Sequence, residues 1–360
     1  MDPRFEEEAP ATQYYDNALF ERLRRDYGRN SLSTPLLTDI RYATRADIQS
    51  HWPDEAHRKI GSSTISAGDV GAVILCGGLA TRFGGGAKAA VELLPGWTLL
   101  RVKLEALAGV AAAHDTTLAV IVVVSPATEL AVLKVLESQS HARLRIKVVT
   151  QSVLPRLLED GHLLLQADGT PSFSPPGHGE VPKLLAAHHS IDGISPRLWQ
   201  ISNIDNLLAT LDADIVGAHI ASKMDATVEV APGTATDVGG YLTYGPHGFE
   251  ILEGFQVDPS DRPTQEFFLN TNTFLIGGTA ISAGERLPYY AVTKTTSDRR
   301  TAVQFEQLLG GIGSLISLNA VAVPRDGNMS RFRPMKLIED LHESRGAVVA
   351  ALEASGLINW

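Results

Sequence analysis

The 360-residue chain contains a single cysteine, Cys76. No internal disulfide can form, and a reducing, cytoplasmic setting is expected. No apolar run approaches the roughly 20 residues that span a bilayer, so no membrane partner is expected; the longest obvious one, Leu118 to Val124, is strand-sized. The first ten residues, MDPRFEEEAP, are acidic and carry no apolar core, which excludes a secretory signal there. Basic charge is also short: 31 Lys and Arg stand against 41 Asp and Glu, a net charge of -10. A sequence-independent grip on nucleic acid needs the opposite balance, so a nucleic-acid partner is excluded. There is no HExxH, His188 and His189 are adjacent, and one cysteine cannot build a sulfur site, so zinc is not expected. G-x-S-x-G, internal repeats and low-complexity segments are all missing.

What stands out is residues 72 to 92, AVILCGGLATRFGGGAKAAVE. Ala72 to Leu75 reads as a buried strand. It empties into a loop with Gly77, Gly78, Gly84, Gly85 and Gly86, together with Arg82 and Lys88. Glycines let backbone N–H groups wrap a phosphate, and the two cations add charge. A glycine-rich stretch can also be a plain surface turn; the preceding strand and the cations favour phosphate binding. It is not a P-loop, because Lys88 is flanked by Ala87 and Ala89 rather than followed by Ser or Thr. No register gives G-x-G-x-x-G ahead of a helix.

The rest of the chain reads as an α/β protein. Residues 1–60 predict a helical extension, with apolar helical spacing between Tyr14 and Tyr27, and Gly61 to Gly68 predicts a joint. From there to residue 335 strands and helices alternate. Thr98 caps a predicted helix through Ala113, Leu118–Val124 and Leu144–Val149 predict strands around a helix at Ala127–Leu136, and Leu198–Ser202 resumes the sheet. Continuous apolar strands in this order indicate a mostly parallel sheet covered on both faces. Residues 226–276 predict an antiparallel insertion, and 336–360 a short helical end. Ligands of such sheets lie beyond the carboxyl ends of the strands, so the loops at 77–88, 150–182 and 202–206 should meet in one crevice.

Three further constellations bear on chemistry. In Ser174–Glu180, SPPGHGE, glycines flank His178 and allow close approach to a ligand; a structural histidine is the competing reading. In Ser202–Asn206, SNIDN, an acid between amides suits Mg²⁺, or else forms a turn that caps a helix. Arg325, Arg331, Arg333 and Lys336 gather against a single acid, Asp326, as a solvated basic face or a second cation source for a polyanion.

In order and spacing these strings resemble the eukaryotic-type UTP–glucose-1-phosphate uridylyltransferases, within the sugar-1-phosphate nucleotidyltransferases. The resemblance runs from about Gly71 to Leu341. It rests on LCGGLATRFG with Lys88, TQS at 150–152, PPGHGE at 175–180, SNIDN at 202–206, GG at 239–240, LEGFQV at 252–257, NTN at 270–272 and VPR…RFRPMK ending at Lys336. It implies a three-layer α/β/α Rossmann-like nucleotidyltransferase domain with a mixed, mostly parallel sheet; as a departure from many relatives, no C-terminal β-helix is expected after Lys336. It also implies that Leu75, Gly77, Gly78, Ala80, Thr81, Gln151 and Gly177 bind the nucleotide. His178, Asn206, Gly240, Glu253 and Asn272 would bind the sugar phosphate, Asp205 would hold Mg²⁺ as the cofactor, and Arg82, Lys88 and Lys336 would be catalytic.

Two positions depart from the family pattern: Ala80 stands where a glycine is usual, and Ala87 where a proline is usual. The implied reaction joins a nucleoside triphosphate, UTP by preference, to a sugar 1-phosphate, in a monomer or homodimer. Two alternatives stay open. One is a GTP-dependent enzyme of the valienol-1-phosphate guanylyltransferase type, acting on a cyclitol phosphate in aminocyclitol biosynthesis. The other is a catalytically silent nucleotide-sugar-binding protein.

Overall fold

The structure, a computed structural model, describes residues 14–32, 36–48, 50–80, 85–234, 237, 239–245, 247–296 and 298–358. Its strands include β1 (Ser50–His51), β2 (Val70–Leu75), β3 (Leu118–Val124), β4 (Leu144–Thr150), β5 (Leu198–Asn203) and β6 (Ala226–Pro232). Further on come β7 (Gly240–Gly245), β8 (Gly248–Glu253), β9 (Phe268–Gly277), β10 (Tyr289–Thr295), β11 (Thr301–Gln307) and β12 (Leu318–Ala322). The helices are α1 (Asn17–Gly28), α2 (Glu55–Ser66), α3 (Leu99–Ala113), α4 (Glu129–Glu137), α5 (Val181–His188), α6 (Ala213–Ser222), α7 (Gly278–Gly284) and α8 (Ile338–Ala354).

The central sheet runs β1-β12-β6-β9-β5-β2-β3-β4, with the β7–β8 hairpin attached to β9. Every pair along this path is parallel except those that β9 makes with β6 and β5. Alternate side chains of β2 and β3 feed two cores. Ala72, Ile74, Val120 and Val122 pack with Leu100 and Leu104 of α3, Val216 of α6 and Val348 of α8. Val73, Ile121 and Val123 pack with Leu185 of α5 and Ala280 of α7. This is the expected three-layer α/β/α arrangement with a mixed, mostly parallel sheet.

The predicted central elements sit where the pattern placed them. Thr98 Oγ1 accepts from Arg101 N at the start of α3 (3.2 Å), and the predicted face of Leu100, Leu104, Leu107 and Ala111 is buried. Two readings change. The segment expected to be a joint is the second half of α2. Its Gly61 is needed for packing, because a Cβ there would lie 1.8 Å from Ala213 O, and one on Gly217 of α6 would lie 1.8 Å from His57 O. Two helix backbones meet at these glycines, and composition alone made the stretch look like a loop. The stretch 226–276 is also not an insertion as a whole. β6 and β9 are interior strands of the main sheet, and only β7 and β8 form a side hairpin.

Beyond the sheet, α1 buries Phe20 and Leu23 against Leu154, Leu157, Val303 and Phe305. That contact fixes the β10–β11 hairpin beside the crevice.

Candidate active site

Strand order reverses between β2 and β5, which are parallel neighbours, and the carboxyl ends of β2 and β5 open on one cleft. The cleft, of about 350 Å³, is lined from the β2 loop by Leu75, Gly77, Gly78 and Lys88, and from the β5 end by Asn203, Ile204 and Asp205. Residues 150–182 add Gln151, Arg156, Ser174, Pro175, Gly177 and His178. The three loops converge as expected.

The glycine loop closes on itself. Gly85 N donates to Ala80 O (2.9 Å), Ala80 N to Gly86 O (2.7 Å) and Lys88 N to Gly78 O (3.1 Å). Gly85 and Gly86 have φ of +108° and +81°, a region that favours glycine. Thr81 and Arg82 lie outside the described residues. Ala80 is buried, so its methyl packs within the protein. Cys76, ahead of the loop, is also buried; burial pushes its thiol upward, as fits a small core residue rather than a reactive one.

Lys88 Nζ lies 2.9 Å from Asp205 Oδ2 across the cleft. This ion pair joins the glycine loop to the acid expected to hold a metal. The backbone of Asp205 accepts from Met335 N (3.0 Å), which brings the 331–336 segment alongside and leaves Lys336 one residue further on, its side chain exposed.

Asn206 does not face the cleft. It is buried, its Nδ2 donating to Arg331 O (2.9 Å) while its Oδ1 accepts from Arg333 N (3.2 Å), so it pins that segment. The basic cluster also comes apart. Arg331 is buried in a bidentate pair with Glu229, both contacts at 2.8 Å, Arg325 pairs with Asp237, and Arg333 lies 3.3 Å from Asp326. The sequence brought these cations together, but the fold gives each arginine its own carboxylate.

Gln151 Nε2 donates to Gly177 O (2.9 Å), tying the β4 end to the PPGHG turn. Gly177 has φ of +90°, and a Cβ there would lie 2.6 Å from Gln307 O; one on Gly179 would lie 2.5 Å from Gln307 C. The glycines around His178 therefore make room for the end of β11, where a ligand had been expected. Leu309 N donates to His178 Nδ1 (3.0 Å), so the neutral ring carries its proton on Nε2. Burial pushes His178 down to about 4. Near neutrality it is a hydrogen-bond donor without charge.

Glu253 ends β8 with its carboxyl beside Gly240 and Gly310: a Cβ on either glycine would lie 3.2 Å from Oε1. Burial, then the nearby charge of Glu306, pushes it up to about 7. Asn272, at φ +56°, donates from Nδ2 to Asn203 Oδ1 (2.8 Å), and its buried Oδ1 has no hydrogen-bond partner. An unmet buried acceptor beside a cleft-lining residue suits a ligand hydroxyl.

Sequence reasoning missed Arg156, Gln304 and Glu306, and read Ser174 only as the start of the SPPGHGE segment. Arg156 Nε donates to Gln304 Oε1 (3.2 Å), and Lys294 Nζ lies 3.1 Å from Glu306 Oε1. The period-two pattern of residues 302–306 was a readable signal, with Val303 and Phe305 turned to the core and Gln304 and Glu306 lining the cleft.

Among the described residues no group of three or more His, Cys, Asp or Glu side chains gathers to hold a metal ion. No helix among them is long and apolar enough to cross a membrane.

The sequence model of the family described as UTP–glucose-1-phosphate uridylyltransferase matches residues 45–354. The UTP–glucose-1-phosphate uridylyltransferase of Solanum tuberosum is 27% identical over 283 residues, covering 74% of this chain and 59% of that protein. Its counterpart from Saccharomyces cerevisiae is 27% identical over 289 residues, covering 74% and 57%. The chain thus spans less than two thirds of the length of these relatives. A UDP-glucose phosphorylase structure from Trypanosoma brucei aligns with a TM-score of 0.74 at 23% identity, over 91% of this chain and 74% of that one. A mutant UDP-glucose pyrophosphorylase of Leishmania major in complex with UDP-glucose aligns at 0.69 and 22% identity, over 92% and 78%. These two likenesses establish a common fold. With the family's model matched over residues 45–354, most of this chain, the protein belongs to the UTP–glucose-1-phosphate uridylyltransferase family.

Proposed function

We propose that this chain transfers a nucleotidyl group from a nucleoside triphosphate, UTP by preference, to a sugar 1-phosphate, yielding a nucleotide sugar and pyrophosphate. The observation that carries the reading is the Lys88–Asp205 pair, 2.9 Å apart, at the point where strand order reverses in a chain of this family. A phosphate oxygen of the sugar phosphate attacks the α-phosphorus. The bond to the β-phosphate breaks, and pyrophosphate leaves with the electron pair.

The nucleophile needs no general base, since the second pKa of a phosphate monoester is about 6. What the reaction needs is alignment of two mutually repelling anions and neutralisation of their charge. Lys88 supplies charge at the mouth of the glycine loop, Lys336 adds charge from the segment beside Asp205, and Arg82 is a third candidate. His178 offers an N–H without charge, suited to a phosphate or hydroxyl oxygen. Gln151 and the Gly177 turn form the wall assigned to the nucleobase. Glu253, Gly240 and Asn272 form the sugar side.

Mg²⁺ fits the donor set in one respect. It keeps several waters and binds through one or two carboxylates plus substrate phosphates, so a lone Asp205 is enough. When bound, it would be held by Asp205 and would help to offset the negative charge of the substrate phosphates.

The test is pyrophosphate release with each of four nucleoside triphosphates against a panel of sugar and cyclitol 1-phosphates. UTP with a hexose 1-phosphate should turn over fastest. Preference for GTP with a cyclitol phosphate would move the assignment to the guanylyltransferase type. Absence of turnover with every pair, with nucleotide sugar still bound, would make this a binding protein.

A further inference from the structure

Lys103 occupies an interior position of α3 and is 2% exposed. Its Nζ donates to Ser202 Oγ at 3.0 Å and to Ala209 O at 2.9 Å. Among the described residues it forms no direct salt bridge. Burial pushes its ammonium down to about 7; Arg331 acts in the same direction, while Glu229, Asp205 and Cys76 oppose it. A buried amine without a direct ion pair is costly. A methionine would fill the same space without that cost, so what the lysine adds is its two hydrogen bonds.

Both bonds end on the segment that carries the acid of the site. Ser202 lies in β5, and Ala209 closes the turn that holds Asn203, Asp205 and Asn206. The turn's own backbone bonds are long: Asn206 N to Asn203 O is 3.4 Å, and Ala209 N to Asn206 O is 3.3 Å. Met335 N to Asp205 O (3.0 Å) and the two bonds of the Asn206 side chain hold the turn to the 331–336 segment, and none of these bonds fixes it to α3. Lys103 ties the two ends of the turn to one rigid helix.

We propose that Lys103 is a positioning residue: by bonding to Ser202 and Ala209 together it sets the geometry of the Asp205 turn, and with it the Lys88–Asp205 contact. The kinetic consequence rests on the nucleotidyl-transfer reading; the tether itself does not.

The experiment compares full-length wild type with Lys103→Met, Ser202→Ala and Ser202→Thr by amide hydrogen exchange without substrate and by pyrophosphate release. Lys103→Met should speed exchange about tenfold at residues 203–209 and leave β2 and β3 unchanged, since loosening of this kind is local. It should lower kcat about tenfold while KM for either substrate stays within about twofold, the pattern of lost transition-state alignment. Ser202→Ala should give a smaller change of both kinds, and Ser202→Thr, which keeps the hydroxyl, should restore both.

Wild-type exchange and kcat in Lys103→Met would overturn the proposal. So would a lowered kcat with unchanged exchange at 203–209, or faster exchange with unchanged kcat. Were Lys103→Met not to fold, the two Ser202 variants decide on the same readouts. Absence of turnover in the wild type itself would sink the proposed reaction, and the exchange data would still judge the tether.

Discussion

Arg331 offers the sharpest test of how the fold disposes of the basic cluster. The residue is 3% exposed, and its guanidinium makes two 2.8 Å contacts to Glu229, itself 2% exposed, with Asp212 at 3.3 Å and the Thr210 carbonyl at 2.8 Å. Arg331→Met keeps much of the volume and strands Glu229 as a buried carboxylate without its partner. Breaking one side of such a pair costs about 3–5 kcal/mol, because the remaining charge has neither water nor a counter-ion. For a chain of 360 residues each kcal/mol moves the midpoint by about 1.3 °C, so Tm should fall by about 4–7 °C. Urea titration should show the same loss as a lower midpoint. Replacing both partners, Arg331→Met with Glu229→Leu, should recover much of it, since the uncompensated charge is gone. The assay pairs thermal and urea unfolding with kcat measured well below the new Tm. An unchanged Tm with kcat down by two orders of magnitude would refute this reasoning, for it would mean that Arg331 serves a substrate phosphate and not Glu229.

The same measurements on Lys336→Met should give the opposite outcome. An exposed lysine one residue beyond the Met335–Asp205 backbone contact should leave Tm unchanged, and kcat should fall about a hundredfold, ~3 kcal/mol of transition-state charge stabilisation; wild-type kinetics would return it to the solvated surface. Asp205→Ala should lower kcat strongly and weaken its dependence on Mg²⁺ in a protein that still folds, and an unaltered Mg²⁺ titration would remove Asp205 from the metal's surroundings. The fourth expectation concerns acid stability. His178 is held down to about 4 by burial against an unfolded value near 6.5, so the unfolded chain binds more protons in that window. The stability tied to neutral His178 is complete above pH 6.5 and is lost as pH falls through 4. His219, buried beside Thr227 and also near 4, titrates over the same range, so His178→Asn should flatten the decline in part. An unchanged slope between pH 6.5 and 4 would show that the ring is protonated in the folded protein.

Much of this molecule was legible without coordinates. Period and punctuation are local properties, and so Val70–Leu75, Leu118–Val124, Leu144–Thr150 and the Thr98-capped helix lie where spacing and capping chemistry place them. From alternating elements the parallel sheet follows, and from the sheet the edge where the loops at 77–88, 150–182 and 202–206 meet. Partner identity was another matter, because it depends on residues distant in the chain. Gly61 read as part of a joint until Ala213 was seen against it. Arg331 read as a free cation until Glu229, 102 positions away, was seen to hold it. Asn206 read as a ligand contact, and the backbone at Arg331 and Arg333 claims both ends of its amide. Lys103 carried no signal, since a lysine on a helix that also bears Arg101 and Glu105 is usually solvated, and only the closing of the turn after β5 over α3 gives its ammonium two acceptors. Backbone propensity and side-chain periodicity act within a few residues and can be read along the chain. Charge pairing, the burial of polar groups and the protonation state of His178 depend on what lies within a few ångströms in space, and the tertiary structure decided those.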